Sequence, residues 1–188
     1  PNEYLSMGRR FVFGNYVAID IVGLNSCRLE QQKFSGYGFT GNQQLKNASE
    51  MMGWINEIYP TDYRIFVLHH HLVPVAAREE INNHDQIFSL SLDSGQVIYE
   101  SIKSQIDMVL HGHMHQPFSA SIFRTCKQDK ELNGPLFIHG AGSAGAKREY
   151  LGSIGKNSYS VLKFNRESIE VSVRSMGEQS HRFTEDWQ

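Results

Sequence analysis

The sequence contains little cysteine, no long apolar run and almost no net charge, and each shortage argues against a class of protein. Its two cysteines, Cys27 and Cys126, are too few for a disulfide scaffold and have no C-x-x-C partner, so we expect reduced thiols and a cytoplasmic protein. No apolar run approaches about 18 residues, which argues against a membrane span. The net charge of −2 gives no general attraction to membranes, and no basic and aromatic stripe indicates nucleic acid.

Histidine, in contrast, is concentrated in two segments of the chain, Tyr63–Pro74 and Asp107–Pro117. Six of the nine histidines lie there: His69, His70, His71, His111, His113 and His115. Each segment starts with an apolar run typical of a short buried strand and ends in imidazoles. Because ligands in open α/β sheets sit beyond the carboxyl ends of the strands, the two segments are interpreted as halves of one metal site. The alternative is a partly buried histidine patch that holds no ion.

The order and context of these histidines resemble the last two metal motifs of the calcineurin-like metallophosphoesterases. Val67-Leu-His69-His-His71 with Pro74 matches the first of the two, and Gly112-His-Met-His115 matches the second, G-H-x-H. The resemblance extends from about Phe13 to Phe164. It implies an α/β fold that is part of the family's four-layer α-β-β-α sandwich with mixed sheets. It also implies a phosphatase or phosphodiesterase in which two divalent ions (Mn, Fe or Zn) and metal-bound hydroxide hydrolyse a phosphoester substrate.

Position by position, the resemblance implies three metal ligands. His69 and His113 match ligands of one ion, and His115 matches a ligand of the other. Five further residues are predicted to support these ligands or to line the substrate rim: His70, His111, Gly112, Asn25 and Ser143. Gly112 is expected to permit the tight turn between strand and ligands. The catalytic residues remain unknown, because the family's phosphate-facing His belongs to a motif that precedes His69.

The family's early acidic motifs do not occur before His69. D-x-H is missing from residues 1–68 and G-D from the whole chain. Asn83-His84-Asp85 carries part of G-N-H-D/E out of order, and we interpret it as a polar turn rather than a permuted site. We therefore expect residues 1–176 to be the C-terminal portion of a metallophosphoesterase domain, followed by a polar tail at 177–188. The N-terminal half would supply the other ligands as a partner, and without it the chain should be inactive, because three ligands cannot hold two ions.

Two other function classes stay open. A non-catalytic or regulatory module could retain half of the metal site, and the number of ions bound per chain separates it from the enzyme. A metallo-β-lactamase-type hydrolase would need H-x-H-x-D-H, but Gln116-Pro117 follows His115 where Asp-His is required.

Local patterns predict the elements around the histidines. Phe11–Leu24 is predicted to form a hairpin that turns at Gly14-Asn15, with Asp20 as a hydrogen-bonded or edge residue rather than a ligand. A helix is predicted after Thr40, with a capping box from Thr40 to Gln43 and an end at Pro60. Its predicted apolar face contains Leu45, Ala48, Met52, Ile55 and Tyr59. A second helix is predicted at Gly95–Ser104, and further strands at Phe118–Phe123 and Leu136–His139. Tyr159–Phe164 and Ile169–Val173 are predicted to form a closing hairpin.

Overall fold

The computed structural model describes residues 6–14, 17–29, 37–56, 61–74, 90–113, 115–123, 134–147, 150–151, 156–176 and 183–187. They form a mixed α/β structure with a six-stranded sheet, a three-stranded sheet and two α-helices, which confirms the predicted fold class. The strands are β1 (Met7–Phe13), β2 (Val17–Gly23), β3 (Tyr63–Leu68), β4 (Met108–His111), β5 (Phe118–Ile122), β6 (Leu136–Gly140), β7 (Ser158–Phe164), β8 (Ile169–Met176) and β9 (Phe183–Trp187). The helices are α1 (Asn42–Met51) and α2 (Ser94–Lys103), with a 3₁₀ turn at Trp54–Asn56.

The six-stranded sheet has the order β1-β2-β3-β4-β6-β5. Strands β2, β3, β4 and β6 are parallel, whereas the edge strands β1 and β5 run antiparallel to their neighbours. Leu68 at the end of β3 lies opposite His111 at the end of β4, and His111 lies opposite Gly140 at the end of β6. The turns that leave these three strands therefore meet at one edge of the sheet, as the histidine pattern predicted.

Both faces of the central strands are covered. One face packs under the helices, through a core that includes Phe66, Val109, Leu45 and Val97. On the other face Ile65 belongs to a second cluster, against which β7 and β8 of the three-stranded sheet pack. Because both faces are buried, β3 and β4 read in the sequence as continuous apolar runs rather than alternating ones.

The buried carboxylate Asp20 ties the hairpin β1–β2 to the 3₁₀ turn. Arg10 donates to its two oxygens at 2.7 and 2.6 Å, Trp54 Nε1 donates at 2.7 Å and Thr61 Oγ1 at 3.0 Å. Burial raises the pKa of this carboxyl, but the hydrogen bonds from Arg10, Trp54 and Thr61 outweigh burial and hold the pKa below its ordinary value. The prediction of a hydrogen-bonded residue rather than a ligand is confirmed.

Replacing this carboxylate is expected to destabilise the fold. In Asp20→Asn the amide can keep bonds to Trp54 and Thr61, but the Arg10 charge loses its partner, so we expect a loss of about 2 kcal/mol in the free energy of unfolding. Urea denaturation measures it. Glu170→Gln is the matched control, because Glu170 pairs with Lys163 at 3.1 Å on the exposed surface, where ion pairs contribute little. Equal effects of the two substitutions would contradict the assignment.

Helix α1 differs from its prediction at both ends. No side-chain hydrogen bond caps it, so the Thr40–Gln43 capping box is wrong, and the N-cap is Gly41 with φ 83°. The carboxylate of Asp93 instead accepts from the amides of Thr40 (3.1 Å) and Gly41 (2.7 Å). The helix ends at Met51, because Gly53 takes φ 70°, a left-handed conformation that ends helices.

Leu45 and Ala48, on the predicted apolar face of α1, are buried as predicted. Ile55 is exposed instead and lies beyond the end of the helix. Tyr59 and Pro60 lie outside the described residues. The hairpins at 11–24 and 159–173, helix α2 and the strands β5 and β6 are confirmed.

The segment expected to be a polar tail contains a strand. Residues 183–187 form β9 and pair antiparallel with β8, with an irregularity in register at Val173 and Arg174. Backbone pairing with an available sheet edge orders a segment whose composition alone predicts no structure. The domain limits stay a prediction, and the turn expected at 83–85 lies outside the described residues. None of the described helices is long and apolar enough to cross a membrane.

Candidate metal centre

The turn that follows β3 is held by one buried hydroxyl, that of Ser26 beyond the end of β2. Ser26 Oγ accepts from the backbone amides of His69 (3.1 Å) and His70 (3.2 Å) and lies 2.9 Å from His70 Nδ1. Ser26 and His70 are 1% and 0% exposed. The parallel pairing of β2 with β3 places Ser26 beside this turn, so adjacent strand ends cooperate in shaping it.

Two imidazoles from neighbouring strand ends face each other beyond this turn. His69 Nε2 lies 2.8 Å from His113 Nδ1, and the ring centroids are 4.7 Å apart. Gly112 N also donates to His69 O at 3.2 Å, which links the turn after β4 to the turn after β3. His69 is exposed and His113 half-buried, so a solvated ion can reach the pair.

Three more histidines lie beneath this pair. The ring of His71 packs on the ring of His111 with centroids 4.4 Å apart, and His70 lies 4.8 Å from His113. His70, His71 and His111 are all buried, and the supporting role of His70 and His111 stays a prediction. Burial lowers the pKa of His71 to about 3 and the pKa values of His70 and His111 to about 4, so all three imidazoles are neutral at pH 7.

The strained backbone of this turn is at histidine rather than at glycine. His113 has φ 74° and His115 has φ 56°, a left-handed conformation that costs L-residues roughly 1–2 kcal/mol each. Gly112 has no positive φ, and a Cβ placed on it would lie 3.9 Å from His69 Nδ1, an ordinary contact. Neither the backbone conformation nor the space around Gly112 therefore requires glycine at this position.

The two predicted rim residues are engaged in local turns. Asn25 Oδ1 accepts from Cys27 N at 3.0 Å, and the buried side chain of Gln44 brackets the Asn25 backbone, accepting from its N–H at 2.6 Å and donating to its C=O at 3.1 Å. Ser143 Oγ accepts from Ala146 N at 3.1 Å in the turn after β6. Their role toward substrate stays a prediction.

Sequence reasoning did not single out Gln44 or Gly38 as parts of the site, and it placed Ser26 only beside Asn25 at the end of a strand. Gln44 was not identified because a polar residue of an amphipathic helix usually faces solvent. Gly38 lies against His70, and a Cβ on it would lie 2.5 Å from His70 Cβ and 2.9 Å from Nδ1. Ser26 carried a weak signal, since it is a small polar residue directly beyond an apolar strand.

Among the described residues, the facing nitrogens of His69 and His113 are of the type that suits a borderline transition metal. Nitrogens of two imidazoles bound to one tetrahedral ion at about 2.1 Å lie roughly 3.4 Å apart, so His69 and His113 need to separate by about 0.6 Å to share an ion. Within the described part of the chain, however, no group of three or more His, Cys, Asp or Glu residues is placed to hold a metal. The complete ligand set of His69, His113 and His115 thus stays a prediction, of which the structure joins the first two.

A cavity of about 880 Å³ lies elsewhere, lined by residues of both sheets, of α2 and of the segments next to them. Tyr63, Asp107, Phe137 and Ile169 line it, and none of the six clustered histidines does. The candidate centre lies outside this cavity, at the carboxyl edge of the six-stranded sheet.

Comparison with known proteins gives a likeness of fold. No family model and no curated protein sequence matches the chain. Among solved structures, the chain is similar to GAP50, the anchor in the inner membrane complex of Plasmodium, with a TM-score of 0.53, 11% identity and 98% of this chain aligned to 54% of that one. It also aligns with purple acid phosphatase PPD1 from yellow lupin (TM-score 0.49, 14% identity, 89% of this chain and 30% of that one). It further aligns with Vps29 from Entamoeba histolytica complexed with Zn²⁺ (TM-score 0.35, 9% identity, 95% of this chain and 59% of that one).

The chain thus spans about half the length of the first of these structures and less than a third of the second. At such low sequence identities the similarity concerns the fold alone, and the comparison with GAP50, at a TM-score of 0.53, is the one that supports it. The chain has a mixed α/β fold similar to that of GAP50, with a histidine pair at the carboxyl edge of its central sheet.

Proposed function

We propose that this protein binds a divalent transition metal through His69 and His113, as part of a metal-dependent phosphoester hydrolase. The observation that carries the proposal is the 2.8 Å approach of His69 Nε2 to His113 Nδ1, from the ends of two adjacent parallel strands. Neutral imidazole nitrogens are ligands for Zn, Mn or Fe. The resemblance of both histidine segments to metallophosphoesterase motifs, in the right order, supports the reaction class.

When bound, a two-ion centre supplies a nucleophile at neutral pH and neutralises charge on the phosphoryl oxygens. The residues of this chain contribute the geometry. His69 Nε2 and His113 Nδ1 lie 2.8 Å apart, so a small separation of the two rings would let both bind one ion. The buried histidines beneath them are neutral at pH 7, so they add no positive charge that would repel a cation. His115 and the acidic ligands of an N-terminal half would complete the centre.

Metal binding tests the proposal directly. Chelator-stripped protein is titrated with Zn²⁺ and with Mn²⁺ by calorimetry, alongside His69→Ala, His113→Ala and the double variant. We expect each single substitution to reduce affinity by at least tenfold and the double substitution to cost far less than the product of the two, because both residues serve one ion. His139→Gln is the control, since His139 is a buried histidine bonded to Ser119 and Ser160 instead. An unchanged affinity in His113→Ala would refute the shared site.

A second candidate function is a non-catalytic metal-binding module. The lack of a three-residue ligand group among the described residues favours it. The stoichiometry separates the two: one ion per chain in the presence of the N-terminal half supports the module, and two support the enzyme. Hydrolysis of a bis-arylphosphate by that reconstituted protein, but not by residues 1–188 alone, is the result expected for the enzyme.

A further inference from the structure

We infer that Ser26 is the positioning residue of this centre, setting both the tautomer of His70 and the placement of the His69–His113 pair. The effect of Ser26 on metal binding rests on the proposed function, whereas its effect on the His70 tautomer does not. Ser26 lies beyond β2, outside both histidine segments, and no motif of the sequence includes it. Its hydroxyl is nevertheless the point at which the end of β2 meets the turn after β3.

The hydrogen-bonding capacity of the Ser26 hydroxyl decides the tautomer. A hydroxyl has two acceptor lone pairs and one proton to donate. The amides of His69 and His70 occupy the lone pairs at 3.1 and 3.2 Å, so the proton of Ser26 points to His70 Nδ1 at 2.9 Å. His70 Nδ1 must then be the acceptor, and a neutral His70 carries its hydrogen on Nε2.

The ring of His70 in turn supports the metal-facing pair. It stands edge-on to His69 with centroids 5.1 Å apart and an interplanar angle of 87°, and it lies 4.8 Å from His113. Gly38 lies so close to the Cβ, Cγ and Nδ1 atoms of His70 that a methyl group there would overlap them. The space left to the ring is therefore small, and the bond to Ser26 fixes which of its nitrogens carries the hydrogen.

Ser26 reaches the pair by two routes. The first route is the His69 amide, through which Ser26 fixes the backbone that carries the His69 ring. The second route is the His70 ring, which contacts the rings of both His69 and His113. Groups that orient metal ligands from outside the coordination sphere typically contribute 10–100-fold to metal affinity.

The variants Ser26→Ala and Ser26→Thr test the inference, with two readouts. Imidazole ¹⁵N–¹H correlation spectra of the metal-free protein report the tautomer of His70, which we expect to be protonated on Nε2 in the wild type and to lose that preference in Ser26→Ala. Calorimetric titration with Zn²⁺ should show about 10–100-fold weaker binding in Ser26→Ala and recovery to within a few-fold in Ser26→Thr, which keeps the hydroxyl.

Ser119→Ala is the matched control, because Ser119 makes the same kind of bond, 2.8 Å to a histidine Nδ1, but to His139. It should leave Zn²⁺ affinity unchanged. If Ser26→Ala does not fold, His70→Asn replaces it, since the Asn Oδ1 keeps an acceptor near the position of Nδ1, whereas His70→Leu removes it. Retained Zn²⁺ affinity in the Asn variant and lost affinity in the Leu variant support the inference, and equal affinities overturn it.

The outcomes separate this inference from the proposed function. A wild-type His70 protonated on Nδ1, or a folded Ser26→Ala with unchanged Zn²⁺ affinity, overturns the positioning role while leaving the metal site intact. Failure of the wild type to bind Zn²⁺ or Mn²⁺ overturns the proposed function and the metal-binding part of the inference, while the tautomer measurement still decides the geometric part.

Discussion

Acidification of the metal-free protein from pH 6.5 to about 5 is expected to lower its free energy of unfolding by about 5 kcal/mol. In the unfolded chain His70, His71 and His111 titrate near pH 6.5, whereas burial lowers their folded pKa values to about 4, 3 and 4. Above pH 6.5 both states are neutral at these positions and the histidines confer no pH dependence. Below it the unfolded chain binds up to three more protons, so the free energy of unfolding falls by up to about 4 kcal/mol per pH unit.

This loss is large against the 5–15 kcal/mol that typically stabilises a domain. Urea midpoints at pH 7.5, 6.5, 5.5 and 5.0 in the presence of a chelator measure the loss, in a range where ordinary carboxylates remain ionised. Burial also lowers the pKa of His139, which acts in the same direction. His71→Leu should reduce the slope by about one third, since it removes one of the three protons at similar volume. Stability that stays flat between pH 6.5 and 5 would contradict the burial of these rings.

Gly38→Ala is expected to destabilise the protein by about 3 kcal/mol, at the upper end of what overpacking costs. The new Cβ would overlap the His70 ring, and His70 cannot move aside because it is fully buried and bonded to Ser26. Gly38 itself is held by its bridge to Ser91 and by the bond from Leu92 N to Gly38 O at 2.7 Å. Chemical denaturation measures the loss, and Zn²⁺ affinity should fall together with stability.

Two other glycines provide controls for this substitution. Gly112→Ala should have little effect on stability, because its Cβ would make only an ordinary contact with His69. Gly95→Ala, in the first turn of α2 with no atom within 4 Å of the new methyl group, should raise stability by roughly 0.5–1 kcal/mol through helix propensity. Similar losses in all three variants would mean that the crowding at Gly38 is not what destabilises it.

The sequence by itself determined the helices and strands, because the contacts that stabilise them recur with a short period along the chain. The apolar runs Ile65–Leu68 and Met108–Leu110 predicted buried strands, and both form because a strand covered on both faces needs apolar residues throughout. Helix α2 and the hairpin β7–β8 were predicted for the same reason, since their periodicity is local. The meeting of His69 with His113 also followed from the sequence, because parallel neighbouring strands end at one edge.

Only the tertiary structure decided the interactions made across long sequence separations. The segment that leads into α1 is held by Asp93, which accepts from the amide of Gly41 52 positions away in the chain, and no local motif encodes that bond. Ser26 and Gln44 reach the site from β2 and α1 in the same way. The left-handed backbone of His113 and His115 likewise opposes local preference, and packing around the turn imposes it. Local patterns encode elements, because their energetics are local, whereas the partner of a single buried polar group depends on which elements the fold places beside it.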